Sequence, residues 1–146
     1  MADRRPDRAM GPNHDTFWEY CTQGEFRLQR CDRCGTVQFP PVALCSECLS
    51  EAMTWTKMQG TGTVLSHCTF MRQYYPECPV PWHALLVELD EGPSLIGTPT
   101  DMSIPEEDMK VGTRVRVVLQ DVEDSHGPFK IPAWVKDEAR TGTKGA

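Results

Sequence analysis

The sequence predicts a mainly β protein: a short N-terminal helix, a small metal-clamped ribbon and a closed barrel of short strands. Three observations carry that reading. Four cysteines stand in two C-x-x-C pairs, Cys31-Asp-Arg-Cys34 and Cys45-Ser-Glu-Cys48, ten residues apart. From Met53 onward, short strand-like runs alternate with turns rich in glycine and proline. One stretch ahead of the first cysteine pair has helix punctuation.

The bulk numbers bound the answer. A chain of 146 residues, 39% of them hydrophobic, makes one domain or two small ones. No run approaches the roughly 20 apolar residues of a membrane-spanning helix. The expected setting is the cytoplasm, without membrane contact. The formal net charge of −6 is unevenly spread: residues 87–125 hold ten acids and three bases. Such an acidic stretch repels a phosphate backbone, the main source of nucleic-acid affinity.

In chain order, residues 1–13 are polar, contain two prolines and are expected to be disordered. Asp15–Gly24 reads as a short helix, with Asp15 or Thr16 as its cap and Gly24 in the left-handed position past its end. Phe17, Trp18 and Tyr20 are too many aromatics for a helix packed on a small knuckle alone. Some are expected to meet another chain; the alternative is that they fold back onto this one.

Glu25–Arg30 alternates and leads into the first knuckle. Pro40 and Pro41 hold the stretch between the pairs extended. Two C-x-x-C turns, each at the tip of a hairpin, are the layout of a zinc ribbon. Each turn offers two thiolates to one side of a tetrahedral ion, and four sulfurs leave no open position, so the site is structural. A redox pair or an iron site is the competing use of such cysteines, but two C-x-x-C motifs this close are not a thioredoxin pattern. A disulfide framework fits poorly with seven cysteines, an odd number, and with no apolar secretion segment at the start. Gly35 suits the first knuckle; Leu49 follows the second and suits it less.

The barrel begins with Trp55–Gln59, then Gly60-Thr-Gly62 as a bulge or sharp bend. Thr63–Phe70, His83–Leu89, Ser94–Thr98, Val111–Leu119 and Phe129–Trp134 complete the strands. Val115, Val117 and Leu119 share one face. Strand number and length point to an OB-fold. The tail after Glu138 is polar and expected to be loose.

The whole pattern, from Phe17-Trp-Glu19 through Leu28–Pro41 and Leu44-Cys-x-x-Cys48 to Gly60–Val64, Ala84–Gly92 and Val111–Val118, resembles the zinc-ribbon/OB-fold proteins that accompany thiolases and acyl-CoA metabolism. The resemblance covers about residues 15–137. It implies a flexible N-terminus and docking helix over 1–30, a rubredoxin-like zinc ribbon over 31–52, an OB barrel over 53–137 and a loose tail over 138–146. The ligand cysteines carry over to Cys31, Cys34, Cys45 and Cys48, and no catalytic residue carries over. It further implies a non-catalytic accessory subunit in a hetero-oligomer, for example α2β2. The partner would be a thiolase-fold large subunit acting on acyl-CoA thioesters, or a retro-aldolase.

Other candidates are weaker. Arg27 and Arg33 offer forked donors for the phosphates of coenzyme A, against the alternative of a solvated or partner-facing rim. Cys21, Cys68 and Cys78 read as spectators, with Cys68 expected to be buried. His67 and Cys68 are neighbours on one strand and point to opposite faces. His83 and His126 have no partner in sequence. A reading of another class, an OB module stacking single-stranded nucleic acid on Trp55, Phe70, Tyr74 and Tyr75, is opposed by the acidic barrel.

Overall fold

A computed structural model describes residues 3–138. In chain order the elements are β1 (Asp3–Arg4), α1 (Pro12–Thr22), β2 (Arg27–Cys31), β3 (Val37–Gln38), β4 (Met53–Lys57), β5 (Thr61–Phe70), β6 (Trp82–Leu89), β7 (Ser94–Pro99), a 3-10 turn (Glu106–Met109), β8 (Arg114–Asp124) and β9 (Gly127–Lys136). β3, β2 and β4 form a three-stranded antiparallel sheet. β8, β5, β6, β7 and β9 form the second sheet, and β8 pairs back onto β9 to close it. β7 and β9 run parallel while the other barrel pairs run antiparallel. This is a mainly β protein with a ribbon and a five-stranded closed OB-type barrel.

Closure fixes which side chains go inside. On β6, Leu85, Val87 and Leu89 alternate inward, and Val64, Leu95, Met109, Val115 and Trp134 meet them in one buried cluster. Val117 and Leu119, grouped with Val115 by their spacing, pack against that cluster half-buried. Gly62 sits where three strands converge: a Cβ there would strike the Glu88 carbonyl and stand 2.8 Å from Val87 Cγ1. The ladder irregularity expected at the glycines falls instead between Val64 and Ser66. The glycine bend serves close approach, and the bulge lies one turn of pleat further on.

Three expectations are corrected. The strand expected to open the barrel, β4, pairs with β2 across five residues and belongs to the ribbon sheet. Residues 3–13 are not loose. β1 adds a parallel edge to β8, Arg5 N–H donates to the Glu123 carbonyl at 2.8 Å, and Arg8 pairs with the fully buried Asp124 carboxylate at 3.1 Å. Cys68 is exposed, whereas Cys21 is fully buried, and burial pushes its thiol pKa up to about 12. The tail after Glu138 lies outside the described residues.

The helix starts earlier than its acidic residues indicate. Pro12 takes the first helical position, where its missing N–H costs nothing. Asp15 accepts the Gly11 N–H at 3.2 Å, tying down the entry from inside the helix. The exit follows expectation. Gly24 has φ 87°, its N–H donates to Cys21 O at 3.0 Å, and Glu25 N–H donates to Tyr20 O at 2.8 Å, a Schellman pair.

The helix aromatics fold back on this chain. Phe17 meets Phe39 of the ribbon with ring centroids 5.4 Å apart, Trp18 meets Phe129 of β9 edge-on at 5.4 Å, and Tyr20 meets Trp55 of β4 at 5.8 Å. Helix α1 is thus a wedge joining ribbon to barrel.

Candidate metal centre

The four cysteines of the two C-x-x-C pairs converge. Their sulfurs all lie within 4.8 Å of one another. Cys31 Sγ and Cys48 Sγ are 3.5 Å apart, as are Cys34 Sγ and Cys45 Sγ. A disulfide holds its sulfurs near 2.05 Å. Four sulfurs each about 2.3 Å from a tetrahedral ion stand about 3.8 Å apart, and the observed contacts match that spacing. The donor set, four thiols and no carboxylate, fits zinc in a closed structural site.

The backbone builds the two halves alike. In the first knuckle Cys31 N–H donates to Thr36 O and Gly35 N–H to Cys31 O, both at 2.9 Å. In the second, Cys45 N–H donates to Ser50 O and Leu49 N–H to Cys45 O, again at 2.9 Å. The fifth residue of each knuckle is left-handed: Gly35 at φ 79° and Leu49 at φ 63°. Glycine takes that conformation freely; an L side chain takes it at a cost of roughly 1–2 kcal/mol. The departure visible at Leu49 is therefore a backbone strain, borne by a residue that is 71% exposed and packs on little.

The knuckles differ in support. The first joins β2 to β3. The second sits on a loop that is not a strand hairpin, because Pro40 and Pro41 have no N–H to continue a ladder. Two buried glutamines, an adjacent cross-strand pair, take its place. Gln29 brackets Val42, accepting its N–H at 2.8 Å and donating to its carbonyl at 3.0 Å. Gln38 accepts the Ser46 hydroxyl at 2.8 Å and donates to Cys45 Sγ at 3.4 Å. Sequence reasoning missed both. Their signal was an amide at facing positions of a hairpin followed by consecutive prolines.

Electrostatics show what the cluster lacks. The Thr36 hydroxyl and backbone beside Cys34 hold its pKa down to about 6. The Ser50 N–H favours the Cys48 thiolate, but burial and the neighbouring thiols outweigh it and push Cys48 up to about 12. Four like-charged sulfurs cannot all ionise in this space without a cation. A divalent ion supplies the missing positive charge and draws the remaining protons off.

The other candidate residues are not brought together. Arg27 is engaged internally: its Nε donates to Glu25 at 2.7 Å and its guanidinium lies 5.2 Å from the Tyr20 ring centroid. Arg33 is exposed in the first knuckle, beyond the far end of β2 from Arg27. His83 Nδ1 shares a hydrogen bond with Thr69 Oγ1 at 2.8 Å, and His126 is tied through its N–H to Asp124 at 2.8 Å. No helix among the described residues is long and apolar enough to cross a membrane.

Comparison with known proteins extends this picture. Residues 18–54 match the rubredoxin-like zinc ribbon domain of ChsH2, and residues 55–120 match the C-terminal OB-fold domain of ChsH2. The chain is 30% identical over 140 residues to the 3-oxo-4,17-pregnadiene-20-carboxyl-CoA hydratase alpha subunit of Mycobacterium tuberculosis, covering 93% of this chain and 43% of that protein. It is 32% identical over 92 residues to a probable enoyl-CoA hydratase alpha subunit of Thermomonospora curvata, covering 63% and 29%. The chain thus spans less than half the length of either. A DUF35 domain-containing scaffold protein of Methanocaldococcus jannaschii is 28% identical, with 72% of each chain covered. Among solved structures, a chain of the Ltp2-ChsH2(DUF35) aldolase superposes with a TM-score of 0.76 at 25% identity, covering 89% of this chain and 98% of that one.

Proposed function

The chain belongs to the ChsH2 family of zinc-ribbon/OB-fold proteins, and from that premise we propose that it is a zinc-binding accessory subunit, not catalytic alone. Its large partner makes or breaks a C–C bond on an acyl-CoA thioester. The observation that carries this is the near-complete superposition on a chain of the Ltp2-ChsH2(DUF35) aldolase. The closed four-cysteine cluster supports it, since four protein sulfurs leave no coordination position for substrate. Of the two partner types the sequence implies, an aldolase has the more direct support, from that superposition; the thiolase-fold partner rests on the sequence resemblance. Cys31, Cys34, Cys45 and Cys48 hold the zinc, which clamps the ribbon. Ribbon and helix α1 together form the docking body.

The test is affinity purification of the tagged chain from its native cells with identification of any large subunit that co-purifies, followed by separate assays of acyl-CoA aldol cleavage and of thiolysis. The proposal expects a stable heteromer, with activity in the complex and none in this chain alone. Full activity of this chain by itself would refute it. Salt-dependent binding of single-stranded oligonucleotides without a protein partner would favour the nucleic-acid reading instead.

A further inference from the structure

An apolar concavity lies away from the four-cysteine cluster. A groove of about 540 Å³ opens where the N-terminal arm, α1, β7 and β9 meet, under the loop that joins β5 to β6. That volume falls within the roughly 300–1,000 Å³ of small-molecule sites. Phe70, Tyr74, Tyr75, Trp82, Ile96 and Phe129 wall it. Several of them are unusually open to solvent: Ile96 is 76% exposed, Tyr74 67% and Tyr75 55%.

Charge singles the groove out further. In a chain of net charge −6, its lining holds three arginines, Arg5, Arg8 and Arg72, and no acidic residue. Arg8 is held by Asp124, and Arg5 reaches Asp3 at 2.7 Å while lying over the Trp82 ring at 4.8 Å. Arg72 stands 5.6 Å from the Tyr74 ring centroid and makes no ion pair among the described residues. Its charge is therefore available at the mouth.

Buried polar atoms of four lining residues make no hydrogen bond: Arg5 Nε, Arg8 Nε, which faces the Asp124 carboxylate as an ion pair, Thr98 Oγ1 and Trp134 Nε1. Trp134 is only 1% exposed. A buried donor left unpaired is costly and uncommon. Gly97, also in the lining, packs its backbone close to that indole: a Cβ there would stand 2.7 Å from Trp134 Nε1.

We propose that this groove binds an amphipathic organic anion. Its bulky apolar body lies between the aromatic walls, an acceptor oxygen takes the Trp134 N–H, and the anionic group meets Arg72 at the mouth. The groove shares Phe17, Trp18 and Phe39 with the α1–ribbon body proposed to dock the large subunit, so its binding is tested on this chain alone. A partner chain is not needed to see it, and failure of this proposal and failure of the accessory-subunit reading show in separate experiments.

The test titrates the full zinc-loaded chain with 9-anthracenecarboxylate and with its neutral analogue 9-anthracenemethanol, following the indole N–H signals of the four tryptophans by 15N–1H NMR. Trp134→Phe replaces the indole with a phenyl ring, removes the N–H and assigns the signal. The proposal expects saturable binding of the carboxylate, with the Trp134 indole shift moving most. The neutral analogue should bind on the order of tenfold more weakly. Ile96→Glu, at an exposed position, should weaken the carboxylate by on the order of tenfold, and Arg72→Gln by roughly fivefold. If Trp134→Phe does not fold, Ile96→Glu and Arg72→Gln still decide. No saturation, equal affinity for the neutral analogue, or indifference to Ile96→Glu would each overturn the proposal.

Discussion

The barrel closes over Val64, Leu85, Val87, Leu89, Leu95, Val115 and Trp134, an apolar interior to which all five of its strands contribute. The ribbon has no interior of its own; its Leu28 and Val37 join the barrel's buried cluster, together with Phe17, Cys21, Phe26 and Met58. Of its buried positions on β2 and β3, Leu28 and Val37 are aliphatic, Gln29 and Gln38 are amides, and Cys31 is a candidate ligand. Burial of apolar area, worth about 25 cal/mol per Å², is thus a force the barrel has and the ribbon largely lacks. The ribbon replaces it with sulfur–metal bonds and side-chain-to-backbone brackets. One chain therefore holds two regions with different dependencies, joined by the aromatic wedge of α1.

That contrast can be broken most forcefully at the metal. Cys34→Ser removes one ligand from a site whose binding contributes on the order of 10 kcal/mol or more to folding in small zinc modules. It should abolish stoichiometric zinc by elemental analysis and release the large subunit in a pull-down, while far-ultraviolet circular dichroism keeps the barrel's strand signal. A mutant that retained metal and partner would show the two regions are not separable in this way.

The opposite break is made in the barrel. Asp124→Ala strands the buried Arg8 guanidinium, and removing one member of a buried pair typically costs about 3–5 kcal/mol. Thermal unfolding should move down by many degrees while zinc content stays at one equivalent. The brackets come next. Gln38→Ala leaves the Ser46 hydroxyl and Cys45 sulfur without their amide, a loss of about 1–3 kcal/mol that should appear as faster zinc release to a chelator, with barrel melting unchanged. Leu49→Gly is the smallest change and has the opposite sign. Relieving a left-handed leucine should stabilise the holo-ribbon by about 1 kcal/mol, read as roughly fivefold tighter zinc in a competition titration.

Proton linkage sharpens the comparison on the ribbon side alone. Cys34, held near pKa 6, enters metal binding already ionised at neutral pH, whereas Cys48, pushed to about 12, must lose its proton to the metal. Zinc uptake at pH 7 should release protons, measurable in weakly buffered solution. Affinity should fall as pH drops, and more steeply below about 6, where Cys34 must also be deprotonated. The stabilising thiolate contribution is present above that pH and lost below it, with no matching transition expected in the barrel.

The convergence of the four cysteines and the barrel's strands are legible in the sequence for the same reason: both are short-range patterns. C-x-x-C fixes two sulfurs within one turn, and alternation along β6 and β8 fixes which face is buried. What the sequence hid depends on residues far apart in the chain. The N-terminal arm reads as a charged, loose segment because the partner of Arg8 lies 116 residues away. The helix aromatics stay open between a partner and this chain because Phe39, Trp55 and Phe129 come from three distant parts of the sequence. Trp55–Gln59 has the look of a barrel strand, yet pairing, not composition, assigns β4 to the ribbon. The glutamine brackets follow from a local absence, the N–H groups that Pro40 and Pro41 lack.

The central claim is that the metal holds the ribbon and not the barrel. Stepwise zinc removal with a chelator, followed by amide 15N–1H NMR across the whole chain, tests it most directly. The account predicts that signals from β2, β3 and both knuckles collapse together while β5 to β9 keep their dispersion. Loss of barrel and ribbon signals in a single step, or survival of the ribbon signals without metal, would contradict it.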